Sequence, residues 1–204
     1  MLTMQSMLFA LAGYLSGGIM YSYIIPRLVF GKDVRAAAQD RNPGATNAGI
    51  ACGPAVGILC GALDVLKAFC PVFAAGCLGL MEGWSAVPIA IAPVLGHAFS
   101  PMLHFSGGKA ITTVFGALLG LLPWHPLGIV LALITLGAIM LIRNHALAVS
   151  TSALIFMVAS SLMYRSNAPM RAVAWLMGLV LIYKHFREAH AYIVRLRDER
   201  RRAV

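Results

Sequence analysis

Hydrophobic residues in this chain run in blocks instead of alternating. Apolar stretches occupy residues 4–30, 48–78, 86–103, 109–122, 127–142, 146–163 and 170–192. The longer ones pass the roughly 18 residues that carry a helix across about 30 Å of hydrocarbon. In lipid every backbone N–H and C=O needs an internal partner, so such segments span as helices, and the period-two pattern of a barrel is absent. The pattern predicts an all-α polytopic membrane protein with about seven transmembrane helices. Polar or Pro/Gly-marked breaks separate them: residues 31–47, Glu82 and Gly83, residues 104–108, Pro123 with Pro126, residues 143–145 and residues 165–169. Pro54 suits the first turn of the second helix. No linker, clear repeat or low-complexity stretch appears, so residues 1–204 read as a single transmembrane domain.

Composition agrees: 60% of the 204 residues are hydrophobic and 11% charged, against about 45–50% and 25% in soluble domains. Met1 to Ser6 carries no basic residue, and the apolar run continues past Tyr23 without a small-residue cleavage site, so the first stretch reads as a span and not a removed leader. The net charge of +9 raises nucleic acid as a partner, but its distribution excludes one. Basic residues sit at predicted helix ends and in the tail Arg195, Arg197, Arg200, Arg201 and Arg202, where they suit a membrane surface. With the C-terminus cytosolic, Arg27, Lys32, Arg35, Arg41, Lys109, Arg143, Lys184, Arg187 and the tail face inward, and only Arg165 and Arg171 face out. The basic-inside preference therefore places the N-terminus outside. Cys52, Cys60, Cys70 and Cys77 match no zinc spacing and read as small apolar packing residues.

Three polar clusters fall on the predicted inner face. The first is Asn42-Pro43-Gly44-Ala45-Thr46-Asn47, whose amides, hydroxyl and small-residue backbone precede a helix. Backbone N–H groups at a helix start suit phosphate; a polar turn capping that helix is the alternative. The second is Gly96-His97-Ala98-Phe99-Ser100-Pro101 with Phe105-Ser106-Gly107-Gly108-Lys109. A lysine in a helix's first turn opposes the dipole, which a bound phosphate would offset; a tight turn with an interfacial lysine is the alternative. It is not a Walker loop, because Leu103 replaces the first glycine and Ala110 the hydroxyl residue. The third joins Arg143, Asn144 and His145 to Lys184, His185, Arg187 and Glu188. Arginine offers phosphate a planar fork and histidine carries protons near neutrality, while snorkelling cations are the alternative. Together the clusters describe an anion-binding cup. Asp64 and Lys67, near mid-membrane at spacing i, i+3, can pair either for function or as a structural ion pair.

At these residues the chain resembles the bacterial glycerol-3-phosphate acyltransferases that use acyl phosphate as donor. The matching pieces are Asn42 to Asn47, Leu63-Asp64 with Lys67 and Pro71-Val72, Gly96-His97 with Phe99, and Phe105 with Gly107-Gly108-Lys109. Arg143 and Lys184-His185 match less distinctively. The resemblance implies a multi-pass enzyme of the bacterial inner membrane with a cytosolic site, moving an acyl group from acyl phosphate to the 1-hydroxyl of glycerol 3-phosphate. The product is lysophosphatidic acid, a phospholipid precursor. No metal or cofactor is implied. It assigns Asn42, Gly44, Thr46, Asn47, His97, Gly107, Gly108, Lys109 and Arg143 to substrate binding and His185 to catalysis.

The chain departs from the family pattern at Asp40-Arg41 (usually Ser-Gly), Ile50 (usually Arg), Ala110 (usually Gly), Ala146 (usually Ser) and Glu188 (usually Asn). Those departures motivate a second reading, a catalytically degenerate paralogue that binds lipid precursors or a partner. The Asp64–Lys67 pair motivates a third, a transporter, which would call for paired broken helices or internal symmetry.

Overall fold

The computed structural model describes residues 3–202, so Met1 and Leu2 of the leader argument lie outside it. Among the described residues the regular structure is helical throughout. In order the helices are α1 (Met4–Gly18), α2 (Tyr21–Phe30), α3 (Ala45–Cys52), α4 (Pro54–Cys77), α5 (Ala86–Ala98), α6 (Ile111–Leu121), α7 (Leu127–Leu141), α8 (His145–Met163) and α9 (Ala168–Arg202). Short 3₁₀ turns cover Val34–Ala36, Gly83–Ser85 and Pro101–Leu103. The chain divides between Gly128 and Ile129 into two compact units.

In the first unit α5 is the core: ten of its thirteen residues are buried. Helix α1 packs on α5 and α4 on α6. Both contacts run through glycine pairs four apart, the spacing that lets helix backbones meet closely in membranes. A Cβ on Gly17 would lie 2.0 Å from the Pro93 carbonyl oxygen and one on Gly116 2.2 Å from that of Val65. The outward faces carry Leu8, Leu11, Leu15, Ile58, Leu66 and Phe73, all exposed; an apolar surface of this extent belongs in lipid. In the second unit α8 packs on α9, with Gly178 against Met157 and the Trp175 indole N–H donating to Ser161 Oγ at 2.8 Å.

Four segments are long and apolar enough to cross a membrane: Met4–Phe30, Pro54–Cys77, Gly83–Leu103 and His145–Met163. Helices α6 and α7 are apolar but shorter, and α9 runs from an apolar start to an arginine-rich end.

Several boundaries differ from the expected ones. The first stretch is not one helix but two, broken at Ile19 and Met20. The second begins as a separate short helix, α3, because Gly53 takes φ 100°, open to glycine alone, before Pro54 starts α4. A Cβ on Gly57 would come 2.8 Å from Gly49 Cα, so α3 and α4 touch backbone to backbone. The third helix stops at Ala98, short of residue 103. Lys109 is not in the first turn of α6: Ala110, at φ 63°, is its N-cap, and the lysine stands just before it. It still stands at the positive end of the helix, where a cation is disfavoured.

Candidate active site

The break in the first span sets the geometry. Ending α1 at Gly18 leaves carbonyls with no helical partner, which within a membrane must be satisfied by protein. Ser100 Oγ donates to the Gly18 carbonyl at 2.6 Å, and the Lys67 ammonium donates to that of Ile19. The same ammonium lies 2.7 Å from Asp64 Oδ1 and 2.9 Å from His97 Nδ1. Two of its N–H groups hydrogen-bond, to Ile19 and His97, and Asp64 Oδ1 stands beside it as the counter-ion. Ser22 Oγ donates to Asp64 Oδ2 at 2.6 Å. Asp64, Lys67 and His97 are all buried, so the pair is neutralised in place and ties α4 to the α1–α2 break and the end of α5. Ser22 carried no signal in the sequence, because a helix break is invisible to hydropathy; Ser100 belonged to the second polar cluster, with no sign that it would serve this break.

His97 connects this network to the Gly107-Gly108-Lys109 loop. Its Nδ1 accepts from Lys67, so the neutral ring carries its proton on Nε2, the nitrogen toward the loop. A Cβ on Gly108 would come 2.2 Å from that Nε2, and one on Gly107 1.9 Å from the His97 carbonyl oxygen. The Gly108 N–H donates to that carbonyl at 3.1 Å. Both glycines are required by close packing on the end of α5, and that packing presents Lys109.

The first motif is held by a different set of contacts. Lys32 Nζ donates to the Ala51 carbonyl at 2.6 Å. Arg35 pairs with Asp33 at 2.6 Å and lies over the Tyr23 ring at 4.9 Å. The Arg35 hydrogen bonds, against a smaller opposing effect of burial, pull the Asp33 carboxyl down to about 2. Val34 is buried with Ala48 and Cys60 beneath the loop. Gly44 is the N-cap of α3, which puts Thr46 and Asn47 in its first turn. A Cβ on Gly44 would sit 2.5 Å from Asn42 Nδ2. Thr46 is exposed and Asn47 buried.

These two motifs meet on one acid. Lys109 Nζ donates to Asp40 Oδ2 at 2.7 Å. Asn47 Nδ2 donates to Asp40 Oδ1 at 2.9 Å and to the Asn42 carbonyl at 2.8 Å. The Asn42 N–H reaches Asp40 Oδ1 at 3.2 Å. Burial alone would raise the Asp40 carboxyl, but the hydrogen bonds from Lys109, Asn47 and Asn42 and the lysine charge outweigh it and lower it. Asp40 was legible only as a departure from a pattern, although an Asp two residues before a backbone N–H is a recognisable turn signal.

Comparison with known proteins matches the chain to a family. Residues 7–195 match the glycerol-3-phosphate acyltransferase family. The chain belongs to that family. A glycerol-3-phosphate acyltransferase of Thermotoga petrophila is 41% identical over 145 residues, 69% of this chain and 69% of its own. One from Helicobacter pylori is 32% identical over 155 residues, 68% of this chain and 70% of its own. A crystal structure of PlsY, an integral membrane glycerol 3-phosphate acyltransferase, in the glycerol 3-phosphate form has TM-score 0.80 and 27% identity, covering 93% of this chain and 92% of that one. The fold is thus that of an all-helical, multi-pass membrane acyltransferase, and membership of this family sets aside the transporter reading.

The remaining candidates of this acyltransferase lie in the second unit. Arg143 is exposed, just before α8, and Asn144 is spoken for as the α8 N-cap, accepting from the Leu147 N–H at 2.9 Å. His185 is buried in α9, with its ring 6.3 Å from that of His145. Its Nδ1 lies 2.8 Å from the Leu181 carbonyl oxygen. A carbonyl only accepts, so Nδ1 carries the proton and Nε2 is the basic nitrogen. Of the departures, Ile50 is exposed on α3 and Ala146 is buried in α8.

Proposed function

We propose that this enzyme transfers a fatty acyl group from acyl phosphate to the 1-hydroxyl of glycerol 3-phosphate at the cytosolic face of the bacterial inner membrane. The hydroxyl oxygen attacks the acyl carbonyl carbon, the acyl–phosphate C–O bond breaks, and inorganic phosphate leaves with that bond's electrons. Lysophosphatidic acid results. The donor is already activated, so catalysis consists mainly of holding two phosphates in register and stabilising developing negative charge. The observation that carries the reading is the convergence of Lys109 and Asn47, from two separate motifs, on a single anionic group.

In this reading Asn42, Gly44, Thr46, Asn47 and Lys109 supply the phosphate donors of the first unit. Gly107, Gly108 and His97 hold the Lys109 loop in register. The resemblance assigns Arg143 to substrate binding and His185 to catalysis, and the hydroxyl proton passes to a base as oxygen attacks. The family match runs through residues 7–195, which supports treating the chain as one catalytic domain. Seven spans with the N-terminus outside fit the inward concentration of basic residues, with α6, α7 and α9 adding to the four long segments. The acceptor follows the name of the family, and the acyl-phosphate donor is what the resemblance of the motifs implies.

The test is an assay of the purified protein with radiolabelled glycerol 3-phosphate and palmitoyl phosphate, beside Lys109→Ala. Losing a charge-assisted phosphate contact worth about 1.5–3 kcal/mol weakens substrate binding roughly tenfold to a hundredfold. The variant should keep wild-type expression and melting behaviour. No labelled product from folded wild type with any acyl phosphate or acyl thioester rejects the reading and favours the degenerate paralogue.

A further inference from the structure

The donors expected to face a phosphate face a carboxylate. Asp40 engages the Lys109 ammonium, the Asn47 side-chain amide and the Asn42 backbone N–H at 2.7, 2.9 and 3.2 Å. We infer that Asp40 is an internal competitor for the phosphate site, so that a substrate phosphate reaches Lys109 only by displacing the Asp40 carboxylate, which thereby sets this enzyme's affinity for its phosphate substrate. The inference rests on the acyltransferase reading above.

The chemistry is one of substitution. A carboxylate and one edge of a phosphate offer paired oxygens of similar reach to the same N–H donors. Both anions cannot stay, because like charges within about 4–6 Å of each other oppose ionisation of both. Phosphate is the better match to a lysine and an amide together, having more acceptor oxygens and up to twice the charge. The contact is also built to yield. The Asp40 and Lys109 side chains keep 24% and 15% of their surface exposed, so water and ligand reach the pair. Arg41, the next residue, is held at φ 51°, a region unfavourable for any residue with a side chain. Meanwhile Asn47 stays anchored through the Asn42 carbonyl, so that amide remains in place when the acid departs.

The lowered pKa of Asp40 keeps it ionised at neutral pH, so competition operates under working conditions. It ends only below the ordinary carboxylate range.

The test uses full-length protein in detergent, as wild type, Asp40→Asn, Asp40→Ala, Lys109→Ala and Asp40→Ala/Lys109→Ala. Inorganic phosphate is titrated by thermal shift, which needs no turnover. KM is measured separately for glycerol 3-phosphate and palmitoyl phosphate, which identifies the phosphate that displaces the acid. Half-saturating inorganic phosphate should fall about tenfold in Asp40→Ala, less in Asp40→Asn, and one of the two KM values should fall with it. In the Lys109→Ala background, removing Asp40 should have a smaller effect, because only the Asn47 and Asn42 donors are left to be released. Unchanged or weakened phosphate binding in a folded Asp40 variant overturns the inference, as does failure of both Asp40 variants to fold, which makes the acid a structural strut. Tighter phosphate binding without turnover in wild type leaves the inference standing and removes the acyltransferase reading. Turnover with no change in phosphate affinity does the reverse.

Discussion

At the scale of single residues, a buried ion pair within α4 governs local stability. Asp64 and Lys67 were placed on one helix face by their spacing, and they do pair, at 2.7 Å. What spacing could not reveal is that the lysine also holds the Ile19 carbonyl and His97 Nδ1. That result favours a structural role, with a direct consequence for stability. Asp64→Ala leaves a buried ammonium without its counter-ion and should cost about 3–5 kcal/mol. Asp64→Leu combined with Lys67→Met removes both charges and should recover most of the loss, apart from the unsatisfied Ile19 carbonyl. Thermal unfolding of the three proteins in detergent checks this; equal losses in the single and double variants would contradict it. Lys109 shows the same limit from the other side. Its glycine-rich approach was visible in sequence, but its contact with Asp40, 69 positions away, was not.

At the scale of elements, hydropathy located the apolar blocks and missed the breaks inside them. The α1–α2 interruption, at Ile19-Met20, left no mark in hydropathy, whereas the α3–α4 interruption at Gly53 was signalled by Pro54, which does open α4. Both are stabilised by partners from other helices or by glycine geometry, neither of which alters composition. Close helix contacts are similarly encoded by residues that have no side chain to detect. Gly17 has the Pro93 carbonyl oxygen 2.0 Å from where a Cβ would stand, whereas Gly137, in α7, has nothing within 4 Å. Gly17→Ala should therefore force α1 from α5 and destabilise the protein by about 1–3 kcal/mol. Gly137→Ala should be neutral or stabilise by up to about 1 kcal/mol through helix propensity. Melting curves of the two variants under the same conditions separate packing from propensity; similar shifts would reject the packing account.

At the scale of the whole molecule, the charge pattern carries the orientation and the family match carries the class. A cysteine introduced at the tail by Arg200→Cys, in a background with the four native cysteines replaced, should react with a membrane-impermeant thiol reagent in inside-out vesicles and stay protected in right-side-out ones. The opposite labelling would reverse the proposed topology. By itself the sequence determined the membrane class, the helical form and the two phosphate-type motifs, since these follow from local composition and from backbone hydrogen bonding in lipid. Only the tertiary structure decided that the first span breaks at Ile19-Met20, why Gly107 and Gly108 must be glycines, and that Lys109 faces Asp40. Each of those depends on contacts between segments remote in sequence, whose distances no local pattern records.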